Sequence, residues 1–325
     1  MMKKPRIIVT GGAGFIGANL VEALNQRGED RILIVDHLKE GPKWKNLLGL
    51  KFLDYLQKDD FLDCIEKNHF SEVEAIIHLG ACSDTTVKDL DYLYKNNYLY
   101  SKKLAVFCLE HGITFIYASS AATYGDGSLG FSDDETLIPR LKPLNPYGFS
   151  KQLFDLWVYH HGLTKKVVGL KYFNVFGEKE FHKGEMRSVV LKAYEQIKRE
   201  GKVRLFRSYR PEYPDGGQLR DFIYVKDAVE VTLFFLEHPE IKGIFNVGTG
   251  QARSFKDLVT AVFSALNLPV NIEYIDMPEN LRKQYQYFTQ ADITKLKKVG
   301  YNKPMYTLEE AVKSYVSWLE QQKPF

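Results

Sequence analysis

Residues 10–17 read Thr-Gly-Gly-Ala-Gly-Phe-Ile-Gly, set between the apolar run Ile7-Ile8-Val9 and a stretch of helical periodicity to Gln26. Glycines at this spacing, directly after a strand and opening a helix, constrain the chain more than any other feature. Gly11 allows a tight turn, Gly14 lets backbone approach a pyrophosphate, and Gly17 permits close packing of helix on strand. Amides at the helix N-terminus then face an anion, with Phe15 and Ile16 beside it. Asp36 follows Gly17 by nineteen residues, at the end of a second apolar run. A carboxylate there suits an adenosine ribose and on its own favours NAD over NADP. Lys39 and Lys43 follow within one loop, so residue chemistry leaves the two dinucleotides open; the alternative for both lysines is a solvated surface.

The rest of the first half alternates short apolar runs with helical patterns. Strands are expected at Arg6–Thr10, Arg31–Asp36, Ala75–Leu79, Thr114–Ala118 and Val167–Tyr172. Helices are expected at Gly14–Gln26, Leu90–Glu110 and Tyr147–His161. That rhythm implies an α/β, doubly wound parallel sheet covered on both faces. After Tyr172 the rhythm loosens. A helix at Ser188–Arg199 precedes a loop-rich stretch, Gly201–Gln218, then short strands at Phe222–Val225 and Ile244–Val247. A helix capped by Ser254 and an amphipathic helix at Leu308–Gln321 complete the chain. The division expected is a dinucleotide-binding Rossmann domain over 1–172 and a smaller, mainly substrate-binding domain over 173–325. Segments around 221–247 are candidates to return to the first.

Composition narrows the class. The 325 residues carry a formal charge of +3, with 45% hydrophobic and 26% charged residues. Nothing points to a nucleic-acid binder or a membrane partner. The apolar run after MMKKPR is too short for a signal-peptide core. Cys64, Cys82 and Cys108 have no CxxC spacing, which fits a reducing compartment, and no metal site is expected. A cytoplasmic enzyme is the expectation.

Tyr147 and Lys151 form a YxxxK pair, stacked on one face of a helix that begins after Asn145-Pro146. A phenol of pKa near 10 becomes a base when a neighbouring ammonium and an oxidised nicotinamide favour its phenolate. Lys151 can also hold the nicotinamide ribose. A serine at the end of the preceding strand can bridge substrate and phenol; Ser120, four residues before Tyr124-Gly125, holds the place that resemblance to the extended short-chain dehydrogenases implies for it, and Ser119 is the fallback. Together these residues point to hydride chemistry at a carbinol carbon.

The segments TGGAGFIG, HLGACSDTT, YASSAATYG, NPYGFSK, KYFNVFG, HKGEM, RDFIYV, FNVGTG and QYFTQAD run in order through residues 6–320. They resemble the ADP-L-glycero-D-manno-heptose 6-epimerases of the extended short-chain dehydrogenase/reductase family. The resemblance implies inversion at C6″ of a nucleotide-linked heptose for lipopolysaccharide core synthesis, by transient oxidation with bound NADP. It implies Tyr147 and Lys183 as opposed acid–base groups. Lys183 has a rival reading as a phosphate contact or an exposed lysine.

Around the cofactor the resemblance places His37, Lys43, Lys58, Leu79, Gly80, Ala81, Cys82, Ser83, Asn96 and Val175. Around the substrate it places Asn174, Lys192, Phe206, Arg207, Ser208, Tyr209, Arg220 and Tyr285. It also implies a homo-oligomer. Arg220 suits a pyrophosphate through its planar fork, the alternative being a salt bridge with Asp221. Three positions depart from the family: His37 replaces its asparagine, Glu185 its small serine, and the 209–218 stretch is longer. Glu185 is expected beside the sugar.

Other readings are a different nucleotide-sugar epimerase, a 4,6-dehydratase, an idle dinucleotide-binding regulator, or a structural interaction protein suggested by 14% aromatic content. The dehydratases carry Asp-Glu where this chain has Ala121-Ala122. An idle site has no chemical reason to keep Ser120, Tyr147 and Lys151.

Overall fold

The computed structural model describes residues 4–282 and 285–322; the extreme termini of the two expected domains lie outside that range. The first half is built from β1 (Ile7–Thr10), α1 (Phe15–Gln26), β2 (Ile32–Asp36), β3 (Asp54–Gln57), α2 (Lys58–Glu66) and β4 (Ala75–His78). It continues with α3 (Leu90–Leu93), α4 (Tyr100–His111), β5 (Thr114–Ser120), α5 (Pro146–His160) and β6 (Val168–Tyr172). Next come β7 (Asn174–Phe176), α6 (Val189–Glu200), β8 (Val203–Phe206), β9 (Leu219–Tyr224), α7 (Val225–Glu237) and β10 (Gly243–Val247). The chain ends with β11 (Ala252–Ser254), α8 (Phe255–Ala265), β12 (Ile272–Ile275), α9 (Glu279–Arg282), α10 (Thr294–Lys298) and α11 (Leu308–Gln321).

Seven strands form one parallel sheet in the order β10-β6-β5-β4-β1-β2-β3. Strand order reverses at β1, between β2 and β4, and a doubly wound sheet opens its ligand crevice at the carboxyl ends of such strands. Alternation along β1 sends Ile7 and Val9 to one face and Ile8 to the other. The first face packs on α1 and α7, and its core runs on into α6, α8 and α11. The second packs on α2, α4 and α5. A three-stranded sheet, β11-β9-β7, and a two-stranded one, β12-β8, make the smaller lobe. The architecture is the doubly wound α/β fold with a smaller C-terminal lobe. No helix among the described residues is long and apolar enough to cross a membrane.

Several local expectations need correction. The stretch 201–218 is not all loop: Val203–Phe206 forms β8, which pairs in parallel with β12. The strand expected at Phe222–Val225 lies at Leu219–Tyr224, and Val225 already opens α7. The helix expected over Leu90–Glu110 is interrupted by a π-turn at Tyr94–Leu99. That turn has a local reason. Buried Asn97 turns inward, donating to the Cys82 carbonyl at 2.9 Å and accepting from the Cys82 amide at 2.8 Å. A π-bulge of this kind often marks a functional site.

Candidate active site

The turn after β1 is built for close approach. Gly11 has φ +71°, and a Cβ there would lie 2.6 Å from the Gly80 nitrogen; one on Gly17 would lie 2.1 Å from the Gly11 carbonyl oxygen. Only glycine fits either place. No side chain caps α1, and its first turn holds no acidic residue, so the helix N-terminus is left to an anion. Asp36 accepts from the Ala13 amide at 2.9 Å and the His37 amide at 2.6 Å, and is ion-paired with Lys43. Burial holds the His37 imidazole below its usual range, and the positive charges of Lys43, Lys39 and Lys58 add to that. Lys58 donates to Asn96 at 2.7 Å. The end of β2 therefore gathers Lys39, Lys43 and Lys58 around an Asp36 carboxylate that is already ion-paired, with Glu40 also in the lining.

Next to it, β4 ends in His78. Its imidazole is buried between the Thr10 hydroxyl at 2.6 Å and the Ser101 hydroxyl at 2.8 Å, and burial pushes its pKa down to about 3. A folded-state pKa below the unfolded value near 6.5 gives stability that is whole above that value and is lost as pH falls. Between pH 7 and pH 4 the loss is about 3 kcal/mol. Thermal unfolding of wild type and His78→Gln across this range should show a shallower acid decline in the variant. Equal slopes would contradict the assignment of a neutral buried imidazole.

Asn145 caps α5 by accepting the Gly148 amide at 2.8 Å, and Pro146 occupies the first helical position. This fixes where the helix starts and puts Tyr147 and Lys151 against the end of β5. The Lys151 ammonium donates to the Ala118 carbonyl at 2.8 Å, and burial lowers its pKa to about 8. Burial raises the Tyr147 phenol, and its hydrogen bond with Ser120 opposes the rise. Ser120 thus meets Tyr147 on the cavity wall. The Ser119 hydroxyl is bonded instead to buried Asp155 at 2.7 Å.

Lys183 comes from a 3₁₀ turn, Phe181–Met186, in which Gly184 takes φ +54°. Asn46 ties this region to the glycine loop by donating to the Ala13 and Lys179 carbonyls, each at 3.0 Å. The Lys183 ammonium lies 5.0 Å from the centre of the Phe15 ring. Burial lowers its pKa, against the nearby charge of Glu180. This is no exposed lysine. Glu185 does not face the cavity; its side chain is 87% exposed and ion-paired with Lys192, itself a lining residue.

At the far end, Arg220 is 7% exposed and stacks on Phe255 and Tyr285, 5.5 and 5.3 Å from their ring centres. Its guanidinium donates to the Leu219 carbonyl at 2.8 Å, and among the described residues no carboxylate pairs with it. The alternative salt bridge with Asp221 is absent because successive residues of β9 point to opposite sides. Asp221 accepts from the amides of Thr249, Gly250 and Ala291 instead. Phe206 and Tyr285 line the cavity, but Arg207, Ser208 and Tyr209 do not. Arg207 pairs with Asp215 and Asp276, the Ser208 hydroxyl donates to the Arg210 carbonyl, and Tyr209 lies under Arg282.

One cavity of about 1110 Å³ joins these regions. Gly11, Gly14, Phe15, Ile16, Gly17, Asp36, His37, Lys43, Lys58, Leu79 to Ser83 and Asn96 line its dinucleotide end. Ser120, Tyr147, Lys151, Asn174, Val175 and Lys183 lie along it, and Lys192, Phe206, Arg220 and Tyr285 lead to the other end. His182, Met186, Arg187, Gln218 and Phe255 also line it and were not foreseen. The first two sit in the HKGEM segment, which was a usable signal; nothing in the sequence marks Gln218. No grouping of metal-ligand side chains occurs among the described residues.

Residues 7–248 match the model of the NAD dependent epimerase/dehydratase family. A protein of Nitratidesulfovibrio vulgaris (strain Hildenborough) named ADP-L-glycero-D-manno-heptose-6-epimerase is 55% identical over 310 residues, 95% of this chain and 96% of its own. The solved ADP-L-glycero-D-manno-heptose-6-epimerase of Helicobacter pylori is similar with a TM-score of 0.82 at 29% identity, covering 99% of this chain and 98% of its own. A solved UDP-N-acetylglucosamine 4-epimerase of Methanobrevibacter ruminantium gives 0.83 at 27% identity, covering 99% of this chain and 100% of its own. Backbone likeness therefore does not choose the sugar.

Proposed function

The chain belongs to the NAD dependent epimerase/dehydratase family, and from that premise we propose that it interconverts ADP-D-glycero-D-manno-heptose and ADP-L-glycero-D-manno-heptose by inversion at C6″. The observation that carries this reading is a pair of half-buried proton-carrying side chains from separate elements, Tyr147 and Lys183, on one cavity. Inversion through a carbonyl has to handle the oxygen's proton with the carbon presented by either face. A site with a single shuttle serves one face well; this one has two.

The glycine turn, the uncapped α1 and the Lys58–Asn96 pair fit a dinucleotide. Its pyrophosphate is assigned to residues 11–17, its adenosine ribose to Asp36 and His37, and its nicotinamide end to Leu79–Ser83, Lys151 and Val175. NADP is the form proposed, with NAD the alternative, because Lys43 neutralises Asp36 and Lys39 and Lys58 add positive charge around a 2′-phosphate. When bound, it supplies the hydride acceptor and donor and, oxidised, a positive charge that favours the Tyr147 phenolate. Ser120 orients the substrate oxygen toward the phenol, and Lys151 holds its ammonium beside the same strand end. One shuttle takes the hydroxyl proton from O6″ as the C6″ ketone forms. The other returns a proton to that oxygen after the sugar has turned. Asn174 and Lys192 are assigned to the sugar.

Arg220 and Tyr285 are assigned to the ADP. A buried guanidinium without a carboxylate is costly to hold, and a diphosphate repays it with charge-assisted bonds. A cytoplasmic enzyme supplying heptose for lipopolysaccharide core, assembled as a homo-oligomer, accords with this chemistry and with the resemblance. The test is proton NMR of each purified epimer incubated with the protein. Both should drift to the same mixture with no net change in nicotinamide absorbance. A sugar left unchanged with NADP⁺ and with NAD⁺ would discard the heptose assignment.

A further inference from the structure

Beneath the candidate active site lies an ion pair with no access to solvent. Asp155 of α5 and Lys171 of β6 expose 0% and 1% of their side chains and are in direct contact. Every donor around the pair belongs to the same small region. Asp155 accepts from the Tyr117 hydroxyl at 2.9 Å and the Ser119 hydroxyl at 2.7 Å, and Lys171 also donates to the Thr123 hydroxyl at 2.7 Å. The Lys171 ammonium lies 5.2 Å from the centre of the Tyr124 ring. Gly169, the β6 neighbour of Tyr117, has no room for a side chain: a Cβ would lie 2.6 Å from the Tyr117 hydroxyl oxygen.

A buried pair of this kind contributes little stability that well-packed apolar side chains would not match. Its connections suggest another use. Asp155 follows Tyr147 and Lys151 at two successive four-residue steps, on one face of α5. Ser119 lies between Ala118, whose carbonyl receives the Lys151 ammonium, and Ser120, which is bonded to Tyr147. We propose that the Asp155–Lys171 pair is the positioning element of the catalytic group, fixing α5 against the ends of β5 and β6 and balancing the charge beneath Tyr147 and Lys151. The inference rests on the epimerase reading for its effect on turnover, but not for its effect on titration. Asp155 and Lys171 act through their neighbours; neither lines the cavity.

The opposite signs of the two charges give the test. The Tyr147 phenol is titrated by its phenolate absorbance, taken as the difference between each protein and the same protein carrying Tyr147→Phe. Lys171→Met leaves the Asp155 charge uncompensated and should raise the titration; Asp155→Asn leaves the ammonium uncompensated and should lower it. Each shift should be about half a unit or more, as expected for a unit charge acting over ~12 Å, eight helical residues, at an effective dielectric near 20. Because either single neutralisation risks misfolding, the double variant Asp155→Leu/Lys171→Met is measured with them. It should unfold cooperatively, titrate between the two singles, and lose about tenfold in kcat with KM nearly unchanged. Shifts in the same direction, no shifts, or a double variant with wild-type kcat would each overturn the proposal. The titration needs no sugar. Opposite shifts in a protein that leaves the heptose unchanged would therefore remove the epimerase reading and keep this one.

Discussion

Tyr147→Phe should slow epimerisation by roughly 10²–10⁴, the range a positioned proton carrier contributes. The ring stays, along with its packing at the start of α5; only the hydroxyl that meets Ser120 is lost. Affinity for the nucleotide sugar should change by no more than about twofold, since the diphosphate end is held by other elements. The comparison is kcat by NMR turnover against the dissociation constant by calorimetry. A variant within about tenfold of wild-type kcat would take Tyr147 out of the proton path. A large loss of affinity with kcat preserved would make it a binding residue instead.

Lys183→Met should have a comparable effect, and for a reason not visible in the sequence. The half-buried ammonium lies over Phe15, and its pKa is lowered chiefly by desolvation, with Glu180 working against it. Lysine serves as an acid–base group only in such surroundings. Methionine keeps the length and the apolar stem and removes the proton. The account expects kcat to fall by about 10²–10⁴ while KM stays within about twofold. The rival reading, a phosphate contact, expects the reverse: KM rising and kcat kept. The kcat/KM split therefore separates the two roles in one titration of substrate concentration.

The parts of this protein legible from sequence are those where function is written locally. β1, the glycine turn and α1 lie within twenty residues, and each glycine has a steric reason that spacing alone suggests. The same holds for Asn145-Pro146 and the helix that carries Tyr147 and Lys151. What failed was non-local. β8 pairs with β12 across more than sixty residues, and a four-residue strand inside a polar stretch gives no periodicity to detect. Three of the residues that the resemblance implies at the substrate, Arg207, Ser208 and Tyr209, lie outside the cavity lining. At the end of β8, Phe206 turns to the cavity while Arg207 turns out to Asp215 and Asp276, and Ser208 and Tyr209 follow the exposed loop.

Charge was equally hard to read. Lys171 and Lys183 are two lysines among many in the sequence, yet one is fully buried in an ion pair and the other half-buried over Phe15. Nor did the sequence separate Arg220 from its neighbour Asp221. Only the register of β9 shows that one faces the cavity and the other is consumed by three backbone amides.

The most direct measurement places deuterium on C6″ of ADP-D-glycero-D-manno-heptose and follows the label through epimerisation in ordinary water. Inversion by oxidation and return of the same hydrogen predicts L-epimer that keeps the deuterium at C6″, with none passed to water. Loss of the label to water at the rate of epimerisation would mean inversion by exchange of a proton at carbon, and would contradict the account.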